Sequence, residues 1–233
     1  MRKYLSMFVG VMALVVAVET FCPCDNHSVY ADSTDVDFGV EVATRNMFRG
    51  AQAGAGPYVF PSLTIPLTNS VGGTTFNIYG QYAVAGNQLD ENEIDFTLSQ
   101  NLGGFATLHL SSYYYDGSLV DMDNHNLDLF LTSDYLGFDI TLSRMIHSQS
   151  VEGDSYVEVG YTLDDYDLFV GVGDGSYSVD GGFAPVNVGF VYTPPPPKRG
   201  NGARAARWLF GYSAAFIYNP DTELPYFVVS KRW

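Results

Sequence analysis

Residues 93–115 carry the most regular alternation of apolar and polar side chains in the sequence. The even-numbered positions are mostly apolar, namely Ile94, Phe96, Leu98, Ala106, Leu108, Leu110 and Tyr114. The odd-numbered positions between them carry mainly acidic, hydroxyl or histidine side chains, and Leu102-Gly103-Gly104 interrupts the pattern. A two-residue period on both sides of a Gly-Gly pair is typical of a β-hairpin. We therefore predict a hairpin that has residues 102–104 as its loop and one apolar face.

Each arm of this hairpin is about ten residues long, which suits a strand of a membrane-spanning barrel. In such barrels, side chains that face lipid alternate with side chains that face the lumen. Similar alternation recurs along the chain and predicts strands at 35–43, 58–67, 76–85, 93–101, 105–115, 127–132, 138–143, 156–163, 166–173, 186–193, 207–217 and 226–233. The predicted fold is all-β: a transmembrane antiparallel up-and-down β-barrel of about 12 strands.

The connections between the predicted strands alternate in length. Short ones lie near residues 70, 103, 136 and 165, and longer ones near 50, 88, 120, 150 and 180. Bacterial outer-membrane barrels have this rhythm, with short periplasmic turns and longer external loops. An even number of strands places both chain termini on the periplasmic side. The proline-rich segment 194–203 departs from the rhythm, because it is long and falls on that same side.

Aromatic residues are predicted to form two girdles at the membrane boundaries, where amphipathic rings are favoured. The periplasmic girdle would hold Tyr135, Tyr161, Tyr166, Tyr192, Trp208 and Trp233. The external girdle would hold Tyr58, Tyr114, Tyr218 and Tyr226. The alternative is that these rings pack in the core of a soluble β-sandwich.

The N-terminus has the features of a secretory signal peptide. A short basic start precedes an apolar run over residues 7–18, which is shorter than the roughly twenty residues of a transmembrane helix. Val29-Tyr30-Ala31 follows, and we expect cleavage after Ala31. The chain then consists of a signal peptide, 1–31, and an outer-membrane barrel, 32–233. Because Cys22 and Cys24 both lie in the leader, the mature protein would have no disulfide and no thiolate metal site.

The chain is strongly acidic, with a formal net charge of −15 at pH 7. This charge argues against binding to nucleic acid, which requires a basic surface. Abundant tyrosine and glycine with little lysine is a composition common in outer-membrane barrels. No segment predicts a cofactor. The expected partners are outer-membrane lipid, lipopolysaccharide and small polar solutes or ions, and the oligomeric state is left open.

If the apolar faces meet lipid, the acidic side chains of the polar faces line the interior of the barrel. These residues are Asp37, Glu41, Glu93, Asp95, Asp128, Asp134, Asp139, Glu158 and Asp167. Carboxylates in a narrow aqueous pore attract cations and repel anions, so the sequence predicts a preference for cations. The alternative is that some of these acids pair with Arg45 or Arg49 in a plugged interior. Inward-pointing Tyr113, Phe130 and other rings would narrow the bore.

Residues 44–50 resemble the signature that follows the first strand in the TorF-type porins of Gram-negative outer membranes. Thr44 and Phe48-Arg49-Gly50 match its S/T-D-Y-R-F-R-G pattern, whereas residues 45–47 read Arg-Asn-Met in place of Asp-Tyr-Arg. Residues 153–163, GDSYVEVGYTL, and 228–233, VVSKRW, are similar to the last third of that family. The resemblance covers most of the mature chain. It implies an outer-membrane β-barrel of porin type, in a family whose substrates are poorly defined.

The predicted function is therefore passive diffusion of small polar solutes or ions through an outer-membrane porin or channel. A first alternative is a non-conducting surface or scaffold barrel that binds partners through the segments 44–56, 116–124 and 174–185. A second alternative is a hydrolase inside the barrel, because a loop at 102–104 would place Asp95 opposite Ser111 and diagonal to His109. Polar interiors produce such triplets readily, so we predict a protein that is not an enzyme.

Two further polar residues have structural interpretations. His125 lies in DMDNHN, residues 121–126, which lacks the glycine and the distal glutamate of a calcium loop, so no metal site is predicted. Arg144 falls on the lipid-facing register of its strand. A β-bulge, or contact with a lipopolysaccharide phosphate, would explain that position.

Overall fold

The computed structural model describes residues 36–54, 56–68, 73–84, 92–115, 119, 121–195 and 212–232. In chain order its strands are β1 (Asp37–Ala43), β2 (Asn46–Phe48), β3 (Ala51–Gly54), β4 (Tyr58–Thr68), β5 (Thr74–Ala83), β6 (Glu93–Asn101), β7 (Thr107–Tyr114), β8 (His125–Tyr135), β9 (Phe138–His147), β10 (Ser155–Leu163), β11 (Tyr166–Gly173), β12 (Ala184–Tyr192), β13 (Tyr212–Asn219) and β14 (Leu224–Arg232). Strands β2 and β3 form a separate hairpin, and the other 12 close into one antiparallel barrel. The predicted all-β fold and its strand number are confirmed. The signal peptide, 1–31, lies outside the described residues and stays a prediction.

Each barrel strand pairs with the barrel strands before and after it in the chain, and β1 pairs with β14 to close the cylinder. This is the predicted up-and-down topology. Two short 3-10 helices, Met122–Asn124 and Gly175–Tyr177, lie in connections between strands. Neither they nor any other helical segment of the described ranges has the length and apolar character needed to span a membrane.

Apolar side chains cover the outside of the barrel. Phe38, Leu168 and Val170 have exposed fractions of 67%, 40% and 45%, whereas Ser111 and Asp128, which face the lumen, have exposed fractions of 2% and 0%. Water-soluble proteins have the opposite distribution, with large apolar residues inside. The distribution found here is the one that a barrel surrounded by hydrocarbon requires, since its outer residues meet acyl chains and its inner residues meet water or each other.

The connections differ in length between the two ends of the barrel. At one end, the turn end, β8 joins β9 through Leu136 and Gly137, and β10 joins β11 through residues 164–165. Leu136 and Gly137 have φ angles of 56° and 81°, as a tight two-residue hairpin turn needs. At the other end, the loop end, connections such as 148–154 and 174–183 are longer. The predicted rhythm is confirmed for these connections, whereas most of the proline-rich segment lies outside the described residues.

The hairpin of β6 and β7 has a different register from the predicted one. Residues 102–106 form the loop, in which the Leu102 N–H donates to the Ala106 carbonyl at 2.8 Å and the Gly104 N–H donates to Asn101 Oδ1 at 2.8 Å. Each residue of β6 therefore faces a β7 residue two positions later than a loop at 102–104 would give. A shift of two residues leaves every side chain on its predicted face but gives it a new neighbour across the strands.

Three of the predicted periplasmic rings are exposed at the turn end, and two of the predicted external rings face inward. Trp208 and Trp233 lie outside the described residues. The exposed rings at the turn end include Tyr135, Tyr161 and Tyr166. Tyr58 is completely buried in the lumen and stacks on Phe60 with ring centroids 5.9 Å apart, so its predicted place in the external girdle is wrong. Tyr226 shares a face of β14 with Val228, which packs against the same buried cluster. It faces inward too, because strand side chains alternate.

Arg144 lies on the outer face of β9, as its register predicts. Its Nη1 donates a hydrogen bond to Ser155 Oγ at 3.2 Å. A register shift between β8 and β9 occurs at Leu127 and Asp128, one residue beyond Arg144 toward the loop end. The bulge is therefore present but does not turn Arg144 inward.

Strand β8 is also longer than the predicted 127–132, since it runs from His125 to Tyr135.

The closure between β1 and β14 is short, with three paired residues on each strand. Thr44 extends it: its N–H donates to the Val229 carbonyl at 3.0 Å, and its Oγ1 accepts from the Val229 N–H at 3.1 Å. The threonine side chain thus replaces a backbone acceptor where the strand pairing ends. This is a structural role for the first residue of the TorF-like signature.

Replacing Thr44 with valine is expected to lower the free energy of unfolding by about 1 kcal/mol, because the Val229 N–H loses its acceptor. Urea unfolding of the detergent-solubilised barrel, followed by far-UV circular dichroism, measures the change. Thr44→Ser keeps the hydroxyl and should unfold like the wild type. Equal loss in both variants would contradict a role for this hydrogen bond.

Candidate functional site

The segment after β1, predicted as an open loop, contains the hairpin of β2 and β3. We call residues 46–54 the inner hairpin. Its turn is formed by Arg49 and Gly50, both with positive φ angles, of 49° and 80°. Phe48 and the turn contact side chains or backbone of β7, β8, β10, β12 and β13. Because these strands lie around the barrel wall, the inner hairpin occupies the lumen near the loop end.

An ion pair between Arg49 and Asp128 fixes the tip of the inner hairpin. Nη2 of Arg49 bonds Asp128 Oδ2, and the two side chains are 10% and 0% exposed. Ser143 Oγ donates to Asp128 Oδ1 at 2.7 Å, and the Tyr113 hydroxyl donates to Oδ2 at 3.2 Å. Nη1 of Arg49 donates to the Tyr177 hydroxyl at 2.5 Å. Both carboxylate oxygens are therefore satisfied, as a buried charge requires.

Aromatic rings surround the Arg49 guanidinium. Its central carbon lies 4.7 Å from the ring centroid of Phe48, 5.2 Å from that of Tyr156 and 5.4 Å from that of Tyr177. These distances are within the range of cation–π attraction. Burial lowers the pKa of this arginine, which lies outside the spanning strands, but the charge of Asp128 and the neighbouring tyrosines raise the pKa by more, so it stands above its ordinary value. The side chain stays charged.

Gly50 brings the backbone of the inner hairpin against β12. A Cβ at this position would collide with the carbonyl of Val186 and come within 2.8 Å of Asn187 Cβ. On another side, Asn219 Nδ2 of β13 donates to the Gly50 carbonyl at 3.2 Å. The positive φ and the close backbone approach both require glycine here.

The start of the inner hairpin is held by a chain of amide hydrogen bonds. Asn46 Nδ2 donates to Gln81 Oε1 at 2.5 Å, and Gln81 Nε2 donates to Glu93 Oε2 at 3.0 Å and to Asp95 Oδ2 at 3.2 Å. Arg45 instead donates to Gln52 Oε1 at 2.5 Å, inside its own segment. The predicted alternative, in which an acid pairs with Arg45 or Arg49, thus holds through Arg49.

The nine predicted pore-lining acids differ in their exposure to solvent. Glu93, Asp95 and Asp128 are buried around the inner hairpin. Glu158 and Glu41 are half-buried, and Glu158 accepts from the Tyr156 hydroxyl at 2.5 Å and from Asn187 Nδ2 at 2.8 Å. The acids exposed near the turn end are Asp37, Asp134, Asp139 and Asp167. The carboxylates therefore differ in burial and in partners rather than forming one ring, and their role in ion passage stays a prediction.

The predicted Asp95–Ser111–His109 triplet is not brought together. In the observed register Tyr113 lies opposite Asp95, Thr97 opposite Ser111 and Ser99 opposite His109. His109 bonds Ser99 Oγ at 2.8 Å and Thr132 Oγ1 at 2.9 Å. It stacks on Phe130 with ring centroids 4.3 Å apart. The Ser111 hydroxyl bonds Thr97 at 2.6 Å. The assumed three-residue loop is the reason that this hypothesis is wrong.

His125 is held on the outer side of the loop end. Its ring bonds Ser112 Oγ at 2.6 Å and the Leu119 carbonyl at 3.0 Å, and it packs on Tyr114. Across the ranges that the structure describes, no group of three or more His, Cys, Asp or Glu side chains is arranged to hold a metal ion.

Several residues that position the inner hairpin carried no usable signal in the sequence. Gln81 is a polar position on a predicted strand, and Asn46, Tyr177 and Asn219 lie in predicted connections. Their common feature is contact with a segment distant in the chain, which periodicity does not report. By contrast, Phe48-Arg49-Gly50 was marked by its resemblance to the porin signature.

Comparison with known proteins adds no family assignment. No family model matches the chain. The search of curated proteins also yields no match.

Proposed function

We propose that this protein is an outer-membrane channel for passive diffusion of small polar solutes or ions, closed at its loop end by the inner hairpin. It would belong to the TorF-type porins and reach the outer membrane through cleavage of the signal peptide, 1–31. Outer-membrane lipid and lipopolysaccharide would surround it. The 12-strand barrel, with its apolar exterior, supports this location.

The observation that carries the proposal is the polarity of the contacts between the inner hairpin and the barrel wall. They include an ion pair, Arg49 to Asp128, and amide hydrogen bonds, from Asn46 to Gln81 and from Asn219 to the Gly50 carbonyl. Permanent cores are mainly apolar, because buried polar groups depend on keeping every partner. Wall groups of this kind become hydrated when the hairpin leaves, so a water-filled passage replaces it.

A closed scaffold barrel is the second candidate. It is favoured by the completely buried Asp128 and by the close packing of Gly50 on Val186, both of which resist displacement of the inner hairpin. Val179 and Phe183, which are exposed on a loop-end connection, would then serve for contact with partners.

Current through a planar bilayer separates the two candidates. The channel predicts a small or intermittent current for the purified wild-type protein and a steady, larger one for variants whose inner hairpin is released. A scaffold predicts silence in all of them. If released variants that are folded by circular dichroism carry no more current than a protein-free bilayer, the channel is excluded.

The exposed acids of the turn end give the open channel its expected preference for cations. Asp134 and Asp139 face each other across β8 and β9. Changing both to asparagine in a conducting variant should lower the cation-to-anion permeability ratio roughly twofold or more, because two charges leave the mouth of the pore.

Reversal potentials in a salt gradient measure this ratio. Changing Asp164 and Asp165 to asparagine is the matched control, since it removes the same charge from the turn between β10 and β11. A larger effect of the control pair would show that the surface charge, rather than the lumen, sets the preference.

A further inference from the structure

A pocket of about 240 Å³ lies in the lumen against β1, β4, β5 and β14. Its polar lining consists of Glu41, Ser62, Thr64, Asn77, Tyr79 and Arg232. Phe60 bounds the side nearer the loop end and stacks on Tyr79, with ring centroids 5.6 Å apart. No residue of the inner hairpin lines the pocket. The pocket is therefore a separate feature of the lumen wall.

Two opposite charges share this pocket without neutralising each other. Glu41 and Arg232 are direct partners in the register of β1 and β14. Among the described residues, neither side chain forms an ion pair within 4.0 Å or a hydrogen bond. Cross-strand neighbours are close enough for one small molecule to reach both. The carboxylate and the guanidinium are therefore both available to a ligand.

The remaining polar lining includes a side-chain amide with a fixed orientation. Asn77 Nδ2 donates to Thr64 Oγ1 at 2.9 Å and to the Leu63 carbonyl at 3.3 Å. Its amide is thereby oriented, and Oδ1 has no donor within the described residues. An oriented amide oxygen and a carboxylate accept hydrogen bonds from an ammonium group, and the face of an aromatic ring attracts the same group.

We propose that this pocket binds a small zwitterion, of the size of a free amino acid or a betaine, and that such molecules are the solutes of the channel. Glu41, with Asn77 and the aromatic pair, holds the cationic group, and Arg232 holds the carboxylate. Pockets for drug-sized ligands measure about 300–1,000 Å³, so a pocket of about 240 Å³ suits a smaller molecule.

Charge balance selects the zwitterion over simpler ions. An anion would pair with Arg232 and lie beside Glu41, and a cation would pair with Glu41 and lie beside Arg232; each would meet a like charge. A zwitterion satisfies both groups at once, and a bidentate guanidinium–carboxylate contact fixes its orientation. The identity of the solute rests on the proposed channel, but binding in the pocket does not require current.

Isothermal titration of the purified barrel in detergent tests the proposal with four probes of similar size. They are alanine and glycine betaine as zwitterions, propionate as the anion and tetramethylammonium as the cation. We expect saturable binding of at least one zwitterion, at least roughly tenfold tighter than either single ion, because both charged contacts are made only with the zwitterion. Equal affinities for the zwitterions and the ions would overturn the proposal.

Variants locate the binding site. Glu41→Gln and Arg232→Gln should each weaken zwitterion binding roughly tenfold, and Arg232→Lys should restore part of it. Glu152→Gln, on the loop-end connection 148–154, is the control for charge and should bind like the wild type. If Arg232→Gln fails to fold, the Glu41→Gln result stands alone, and unchanged affinity there overturns the assignment.

The outcomes for the pocket and for the channel are distinguishable. Zwitterion binding with no current in any variant would overturn the proposed channel and support the proposed binding site. Current without preferential zwitterion binding would overturn the proposed binding site and support the proposed channel.

Discussion

Replacing Arg49 with alanine is expected to release the inner hairpin and to raise the bilayer current several-fold above that of the wild type. The substitution removes the ion pair to Asp128 and the hydrogen bond to Tyr177. It leaves Asp128, which is 0% exposed, without its positive partner. Breaking a buried pair in this way costs about 3–5 kcal/mol, and the cost falls when water reaches the orphaned carboxylate. Water reaches Asp128 when the inner hairpin leaves the lumen. The open form of this variant is therefore more stable than its closed form.

Single-channel recordings and urea unfolding measure the two parts of this prediction. Arg144→Ala is the matched control, because it removes an arginine from the outer face of β9 and should leave the current unchanged. In Asp128→Asn the neutral amide no longer attracts Arg49, so this variant should also open the channel. Wild-type current in both Arg49→Ala and Asp128→Asn would mean that the ion pair does not hold the inner hairpin.

Gly50→Ala is expected to displace the inner hairpin by a steric route. The added methyl would collide with the Val186 carbonyl, which belongs to the rigid ladder of β12, and the residue would keep a φ of 80° that disfavours alanine. Backbone strain of this kind costs about 1–3 kcal/mol, and the collision adds to it. The hairpin therefore cannot occupy its place in the lumen, and the current should rise although every charge is retained.

Gly103→Ala is a control that introduces the backbone strain without a steric collision. Gly103 has a nearly identical φ of 78°, but a Cβ there meets nothing within 4 Å. It should lose a similar amount of stability from strain and keep the wild-type current. Limited proteolysis gives a second measurement, since residues 46–54 should become cleavable in Gly50→Ala and stay protected in Gly103→Ala. Equal currents in the two variants would contradict the packing of Gly50 as the cause.

The barrel itself was readable from the sequence. In β6 and β7 a period of two residues assigned the side chains to the outer or the inner face, and the observed register keeps those faces. Leu136 and Gly137 likewise marked a turn, because a tight hairpin needs positive φ angles. These features depend on neighbours within a few positions of the chain, and the alternation of apolar and polar residues reports such local structure directly.

The sequence pattern did not predict which residues face each other across paired strands. The pattern allowed loops of several lengths around Gly103 and Gly104, and each length gives β7 a different register with unchanged faces. Asp95 therefore lies opposite Tyr113, and the predicted triplet does not form. Tyr58 shows the same limit, since an aromatic residue at a strand end suits a membrane girdle or a lumen cluster equally well.

The sequence by itself determined the strands, the side of the sheet that each side chain takes and the surplus of acids on the inner side. Only the tertiary structure decided what fills the lumen. Arg49 and Asp128 are 79 positions apart, and nothing in either local pattern relates them. Closure of the barrel brings the strands around a common axis, and the inner hairpin folds back between them. The pairing of the acids therefore depends on the closed cylinder and on no single strand.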